Sequence, residues 1–114
     1  MAEPRNDILN GGGGSDSASY ENIAGSTTPV SASLGTDFST GEGSDLFSYI
    51  ENLTGTGGND KLSGSSKANI LEGLGGNDIL ESEDGIGGND TVNGGNGTGD
   101  TCLADPGDIK IGCP

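Results

Sequence analysis

Apolar residues enter this chain in short steps, and one position keeps returning. Leu9, Ala18, Phe47, Leu62, Leu71, Leu80 and Val92 hold the same place in a nine-residue frame. Leu62, Leu71 and Leu80 follow one another at intervals of nine without a gap. Neither the 3.6-residue helical period nor a long strand alternation gives that spacing. Aligned on the acidic position, the frames read GGGGSDSAS (11–19), TGEGSDLFS (40–48), GTGGNDKLS (55–63), GSSKANILE (64–72), GLGGNDILE (73–81) and GIGGNDTVN (85–93). A truncated PRNDILN opens the series at 4–10, and a degenerate GGNGTGD stands at 94–100.

Each frame divides into a glycine-rich turn of six residues and an extended step of three, so two frames make a coil of 18. Three residues are too few for a helix and suit a short strand, with the recurring apolar residue facing a core. Paired glycines permit a tight turn in which backbone carbonyls point inward, and the aspartate adds an anionic oxygen. A larger echo, GSDSASYENIAGS (14–26) against GSDLFSYIENLTGT (43–56), points to duplicated units joined by longer loops over 20–39 and 49–54. One domain over 1–114 is expected: irregular duplicated coils over 1–54, regular coils over 55–100 and a closing segment over 101–114. Tyr20, Tyr49 and Phe47 are expected in core or edge packing.

Without the period, composition alone would suggest a disordered chain. Leu, Ile, Val and Phe make only 21 of 114 residues, and the net charge is -14. That charge leaves no basic face for nucleic acid. The chain has no histidine and two cysteines, which removes Ser-His-Asp and Cys-His catalysis and the common zinc sites. No apolar run approaches membrane-spanning length. There is no GxxxxGK[ST] loop and no EF-hand run.

The recurring Gly-Gly-Asn-Asp turn followed by an apolar step resembles the hemolysin-type calcium-binding nonapeptide, GGxGxDxUx, of RTX proteins. The resemblance spans Pro4 to about Asp100 and is broken at the longer loops. It implies an all-β, right-handed parallel β-roll with about 18 residues per coil and calcium held between turns one coil apart. The implied Ca2+ ligands are Asp7, Gly11, Gly13, Asp16, Asp45, Gly55, Gly57, Asp60, Gly73, Gly75, Asp78, Gly85, Gly87, Asp90 and Asp100.

Stacked on that pattern, one column contains the turns ending at Asp7, Asp60, Asp78 and Asp100, with the loop Glu21–Pro29 between the first two. The other contains Asp16, Asp45, Asn69, Asp90 and then Asp105–Asp108. The pair of turns 55–60 and 73–78 is expected to hold calcium best, followed by 73–78 with 94–100, with residues 82–84 bulging. GSSKAN departs from the pattern, with Lys67 at a glycine position and Asn69 for the aspartate, so this step is expected to bind calcium weakly or not at all. An ammonium group would sit there in place of a cation. Asp45 with Asp37, and Asp90 with Asp84, are expected to use local ligands. Glu42, Glu51, Glu72, Glu81 and Glu83 read as solvated surface charges.

The tail TCLADPGDIKIGCP resembles the cysteine-bounded end of some secreted members of that family. Cys102 and Cys113 point to a disulfide made in an oxidising compartment, with free thiols or a metal role as the other reading. These features lead to a secreted or cell-surface, non-enzymatic calcium-binding protein with no nucleic-acid partner and no membrane insertion. Metal affinity becomes folding free energy in such a chain, which is expected to be largely disordered without calcium. Two roles follow: a structural protein that self-associates through its open N-terminal coil into oligomers or filaments, or the calcium-folded tail of a larger secreted protein or exoenzyme.

Overall fold

A computed structural model describes residues 7–20, 29–41, 43–97 and 99–113. Among them are twelve strands and no helix: β1 (Ile8–Asn10), β2 (Ser17–Ser19), β3 (Ser31–Ser33), β4 (Phe38–Thr40), β5 (Asp45–Ser48), β6 (Asn52–Thr54), β7 (Lys61–Ser63), β8 (Ile70–Glu72), β9 (Ile79–Glu81), β10 (Thr91–Asn93), β11 (Thr101–Leu103) and β12 (Ile109–Ile111). Eleven of the twelve have three residues, as the nine-residue frame requires. They form one sheet in the order β1-β5-β4-β3-β7-β9-β11 and a second in the order β12-β10-β8-β6-β2. From β7 onward the chain alternates between the two sheets, so every turn carries it across the core and every second strand pairs in parallel with its predecessor.

The middle residue of each strand stacks in register on the middle residue of the next. Ala32, Leu62, Leu80 and Cys102 form one column, and Ala18, Leu53, Leu71 and Val92 form the other. Leu53, Leu62, Leu71, Leu80 and Val92 are wholly buried. The recurring apolar position of the sequence is therefore the core, with Leu9 only partly covered at the end of its sheet. At the other end Lys110 pairs beside Val92 on the exposed strand β12, where an apolar rung is missing. The Cys102–Cys113 disulfide closes this end, joining β11 to the segment after β12 with the Cα atoms 5.9 Å apart.

The structure corrects three sequence expectations. Residues 29–41 and 49–54 are not simply longer loops, because they contain β3, β4 and β6. The sheets are not wholly parallel, since β4 runs antiparallel to both β3 and β5. Loops 34–37 and 41–44 are too short for the crossover that a parallel neighbour needs, so they form hairpins. Positive φ at Asp37 (56°), Gly41 (120°) and Gly43 (88°) shapes these reversals. Finally, Tyr20 and Phe47 lie in the core, whereas Tyr49 is 67% exposed. The expected placement of 21–28 lies outside the described residues, as do 4–6 and Glu42.

A core one side chain wide makes each rung individually important. Leu80→Ala should lower stability in calcium by about 2–5 kcal/mol, whereas Ile79→Ala, on the outer face, should cost about 1 kcal/mol or less. Urea denaturation of the two variants checks this, and equal losses would contradict the assigned core.

Candidate metal centre

The turns between strands stack as the strands do, and this brings the aspartates together. In the first sheet Asp60 N–H donates to Asp78 Oδ1 (2.8 Å), and Asp78 N–H donates to Asp100 Oδ1 (2.8 Å). One rung earlier Val30 N–H donates to Asp60 Oδ1 (2.8 Å). In the second sheet Asn69 N–H donates to Asp90 Oδ1 (2.7 Å), and Asp90 N–H to Asp108 Oδ1 (3.2 Å). Thus each acidic residue caps the backbone of the previous rung with one oxygen. A parallel row of side-chain amides ties the turn tips together, with Asn77 N–H on Asn59 Oδ1 (2.8 Å) and Gly99 N–H on Asn77 Oδ1 (3.3 Å).

The second oxygen of these aspartates points back over its own turn. The Cα of Gly73 packs so closely under Asp78 Oδ2 that a Cβ would overlap it. Gly55 stands in the same relation to Asp60, Gly64 to Asn69, Gly11 to Asp16 and Gly94 to Asp100. In these five turns a glycine directly after the strand is therefore a steric requirement of the carboxylate or carboxamide. Gly94 was not among the ligand candidates and belongs with this set. Gly85 does not fill that place, because the turn 82–90 has three extra residues and Ser82 follows β9 directly. Gly13 faces open space, Gly57 is exposed, Gly75 bridges to Asn96, and a Cβ at Gly87 would meet the Pro106 carbonyl.

Asp45 changes column. It begins β5, which pairs with β1 in the first sheet, and Asp7 N–H donates to Asp45 Oδ1 (2.8 Å). Hairpins rather than a coil lead into β5, and frame counting could not reveal that. Glu51 takes the vacated place in the second sheet: it is no solvated charge but accepts Asp16 N–H at Oε2 (3.0 Å). The other oxygen of Asp45 accepts from Tyr20 Oη (2.7 Å) and Ser39 Oγ (3.3 Å), all in the core. Burial raises the Tyr20 pKa, so its hydroxyl remains a donor. At the Asn69 step it is Asn69 Nδ2 that reaches the Glu51 carbonyl (2.7 Å), while Lys67 is exposed.

Asp84 and Asp90 share the turn 82–90 but are held by different partners. Asn89 Nδ2 donates to Asp84 Oδ2 (3.0 Å), which together with Ile86 N–H holds Asp84 below the ordinary carboxylate range. Asp105 Oδ2 accepts from Asp84 N–H (2.7 Å) and Gly85 N–H (2.8 Å). Asp108 loses some hydration, yet N–H groups of Asp90, Asp105, Gly88 and Asn89 hold its pKa down.

Burial pushes the Asp78 carboxyl up to about 6, with the Asp60 and Asp100 charges adding to the rise against the Asp60 N–H. Burial also raises Asp60, opposed by donors from Val30 and Thr56. Asp90 is raised by burial and by the charges of Asp84, Asp108 and Asp105, against the Asn69 N–H. Among the described residues, Asp16 Oδ2, Asp78 Oδ2, Asn89 Oδ1, Asp90 Oδ2 and Asp100 Oδ2 are buried and meet no hydrogen-bond donor. No three acidic side chains among these residues gather as a ready-made metal cluster. The donor set is nevertheless that of a hard cation, consisting of unpaired carboxylate oxygens in turns with backbone carbonyls at hand. These residues fit calcium.

The model of the RTX calcium-binding nonapeptide repeat matches the chain in four copies, over residues 3–18, 54–87 and 85–99. No curated protein gives a significant match.

Two predictions follow from the packing and charge of these turns. Gly73→Ala should cost about 1–3 kcal/mol and weaken calcium binding, because the new methyl displaces Asp78, whereas Gly13→Ala should stay within about 0.5 kcal/mol of the parent. Calcium titration with denaturation of both variants tests this, and an unaffected Gly73→Ala would refute the steric role. Wherever the 73–78 rung folds without calcium, it holds the Asp78 proton more tightly than the unfolded chain, since its pKa of about 6 stands above the ordinary 3.8. That contribution to stability is full below about pH 4 and lost as pH rises through about 6. Melting midpoints in chelator should therefore fall between about pH 4 and about pH 7, and a rising midpoint would count against this assignment.

Proposed function

This chain belongs to the RTX calcium-binding nonapeptide repeat family, and from that premise we propose that it is a non-enzymatic, extracellular calcium-binding β-roll with a structural, self-associating role. The observation that carries the reading is the set of buried carboxylate oxygens without donors on Asp78, Asp90 and Asp100. Bound calcium supplies a hard divalent charge that takes six to eight oxygens in adaptable geometry. The protein's own residues do the rest. Asp78 and Asp100 present oxygens from neighbouring rungs, Gly73 and Gly94 leave room for them, and the Asp N–H bonds hold the rungs in register. A right-handed parallel solenoid of about 18 residues per coil accounts for strands that alternate between two sheets and turns that stack.

The absence of histidine supports a role without catalysis, and so does the sealing of the Tyr20–Ser39–Asp45 cluster inside the core. The disulfide favours an oxidising, extracellular setting. Self-association is supported by the outer face at the β1 edge, where Ile8 (77% exposed), Leu46 (51%) and Phe38 (39%) lie side by side across β1, β5 and β4. Leu103, 42% exposed, stands at the opposite edge of the same sheet. A second copy stacked head to tail would cover both edges, and such contacts propagate without closing.

Far-UV circular dichroism and size-exclusion chromatography, each with chelator and with millimolar calcium, test the two parts separately. The expected result is added β-signal and a calcium-dependent multimer. An unchanged spectrum overturns the calcium reading. A monomer at every calcium concentration overturns self-association and favours the calcium-folded tail of a larger secreted protein.

A further inference from the structure

The turns are of two kinds, and the difference lies in their second residue. In turn 55–60 the second residue, Thr56, donates its N–H to Asp60 Oδ2 (2.7 Å) and its hydroxyl to Asp60 Oδ1 (3.0 Å). In turn 64–69 the N–H of Ser65 donates to Asn69 Oδ1 (2.7 Å), and Asn69 Nδ2 then reaches the Glu51 carbonyl. Neither Thr56 nor Ser65 has a positive φ, and neither Asp60 nor Asn69 keeps a buried oxygen without a donor. These turns are closed by their own backbone.

The turns beginning at Gly11, Gly73 and Gly94 behave differently. Their second residues, Gly12, Leu74 and Gly95, lie in the left-handed region at φ 84°, 74° and 81°. In all three the residue that ends the turn, Asp16, Asp78 or Asp100, keeps Oδ2 buried with no donor. Asp78 and Asp100 are themselves 0% and 5% exposed. Leucine in this region costs about 1–2 kcal/mol, so the open form of turn 73–78 is held against a local preference. The longer turn 82–90 falls outside this comparison.

We propose that the second residue of each six- or seven-residue turn decides whether its rung takes calcium. A left-handed residue there leaves the carboxylate open to the cation. A threonine or serine with negative φ turns its N–H onto the carboxylate or carboxamide and fills the cation's place. The inference rests on the calcium-binding reading above and distributes the metal within it. Calcium enters at Asp16, Asp78 and Asp100, and the rungs of Asp60 and Asn69 hold together without it. The stack of 73–78 on 94–100 then outranks that of 55–60 on 73–78, reversing the order expected from the aspartates alone. Asp45, satisfied by Asp7, Tyr20 and Ser39, joins the cation-free block. The middle of the chain keeps its strands in chelator, and the C-terminal rungs form with calcium.

Isothermal titration calorimetry on the full chain and on Leu74→Thr and Thr56→Gly tests the assignment. Leu74→Thr should lose one calcium equivalent or bind it about tenfold or more weakly, and Thr56→Gly should gain one. Because either variant can fail to fold, hydrogen–deuterium exchange of the unmodified chain provides an independent reading. Amides of β6 to β8 should be protected in chelator, and those of β9 to β11 should gain protection only with calcium. Unchanged stoichiometry and affinity in both folded variants, or protection that rises uniformly along the chain, would overturn the proposal while leaving calcium binding intact. A parent protein that takes up no calcium at all would overturn both.

Discussion

The fold depends on one repeated interaction, the hydrogen bond from an aspartate N–H to the carboxylate one rung further on. Asp60 to Asp78 and Asp78 to Asp100 are the clearest cases. The bond fixes register between strands only three residues long, which have few backbone pairs of their own. It also imposes a cost, because carboxylates stacked at a strand spacing of about 4.8 Å repel one another and lose their water. The raised pKa values of Asp60, Asp78 and Asp90 express that cost. Some counter-charge or donor must reach the second oxygen, and the rest of the design supplies it.

The apolar core cannot carry this load alone. Most strands contribute a single inward apolar side chain, and the largest of these are leucines, a phenylalanine and a valine. A buried leucine contributes about 1.5–3 kcal/mol, against a chain-entropy cost of about 1–2 kcal/mol for every backbone residue fixed in its rung. Nine residues fixed per frame outweigh one leucine. Stability must therefore come also from the stacked hydrogen bonds, from the disulfide at the C-terminal end and from whatever satisfies the carboxylates.

Much of this was legible in the sequence. The nine-residue frame located the strand steps at 61–63, 70–72, 79–81 and 91–93, and the recurring apolar residue named the core rungs. The glycines directly after β1, β6, β7, β8 and β10 also followed from the motif. What remained hidden was pairing over 29–54. There, serine-rich steps such as Ser31–Ser33 look like loop, and strand neighbours are set by short hairpins whose direction no frame records. The same hairpins moved Asp45 to the other column and left Glu51 in a site of its own. Counting from glycines also misplaced Gly85, because an insertion ahead of it makes Ser82 the residue that follows the strand. The sequence marks types of residue well and marks which of two oxygens is satisfied poorly.

That last distinction explains why the turns are unequal. A chain whose every turn were open would place a bare carboxylate at each rung and have no folded nucleus on which the first cation could be assembled. A chain whose every turn were closed would stack through its own N–H groups and have no need of metal. Thr56, Ser65 and Asn69 give the central rungs internal donors, and the network of Tyr20, Ser39 and Asp45 does the same nearby. Leu74 and Gly95 leave the following rungs incomplete. Since adjacent rungs share hydrogen bonds, a closed rung offers the next one a fixed acceptor and a fixed strand before any ion arrives. Calcium then acts on a preformed edge, where binding has only one rung to order at a time.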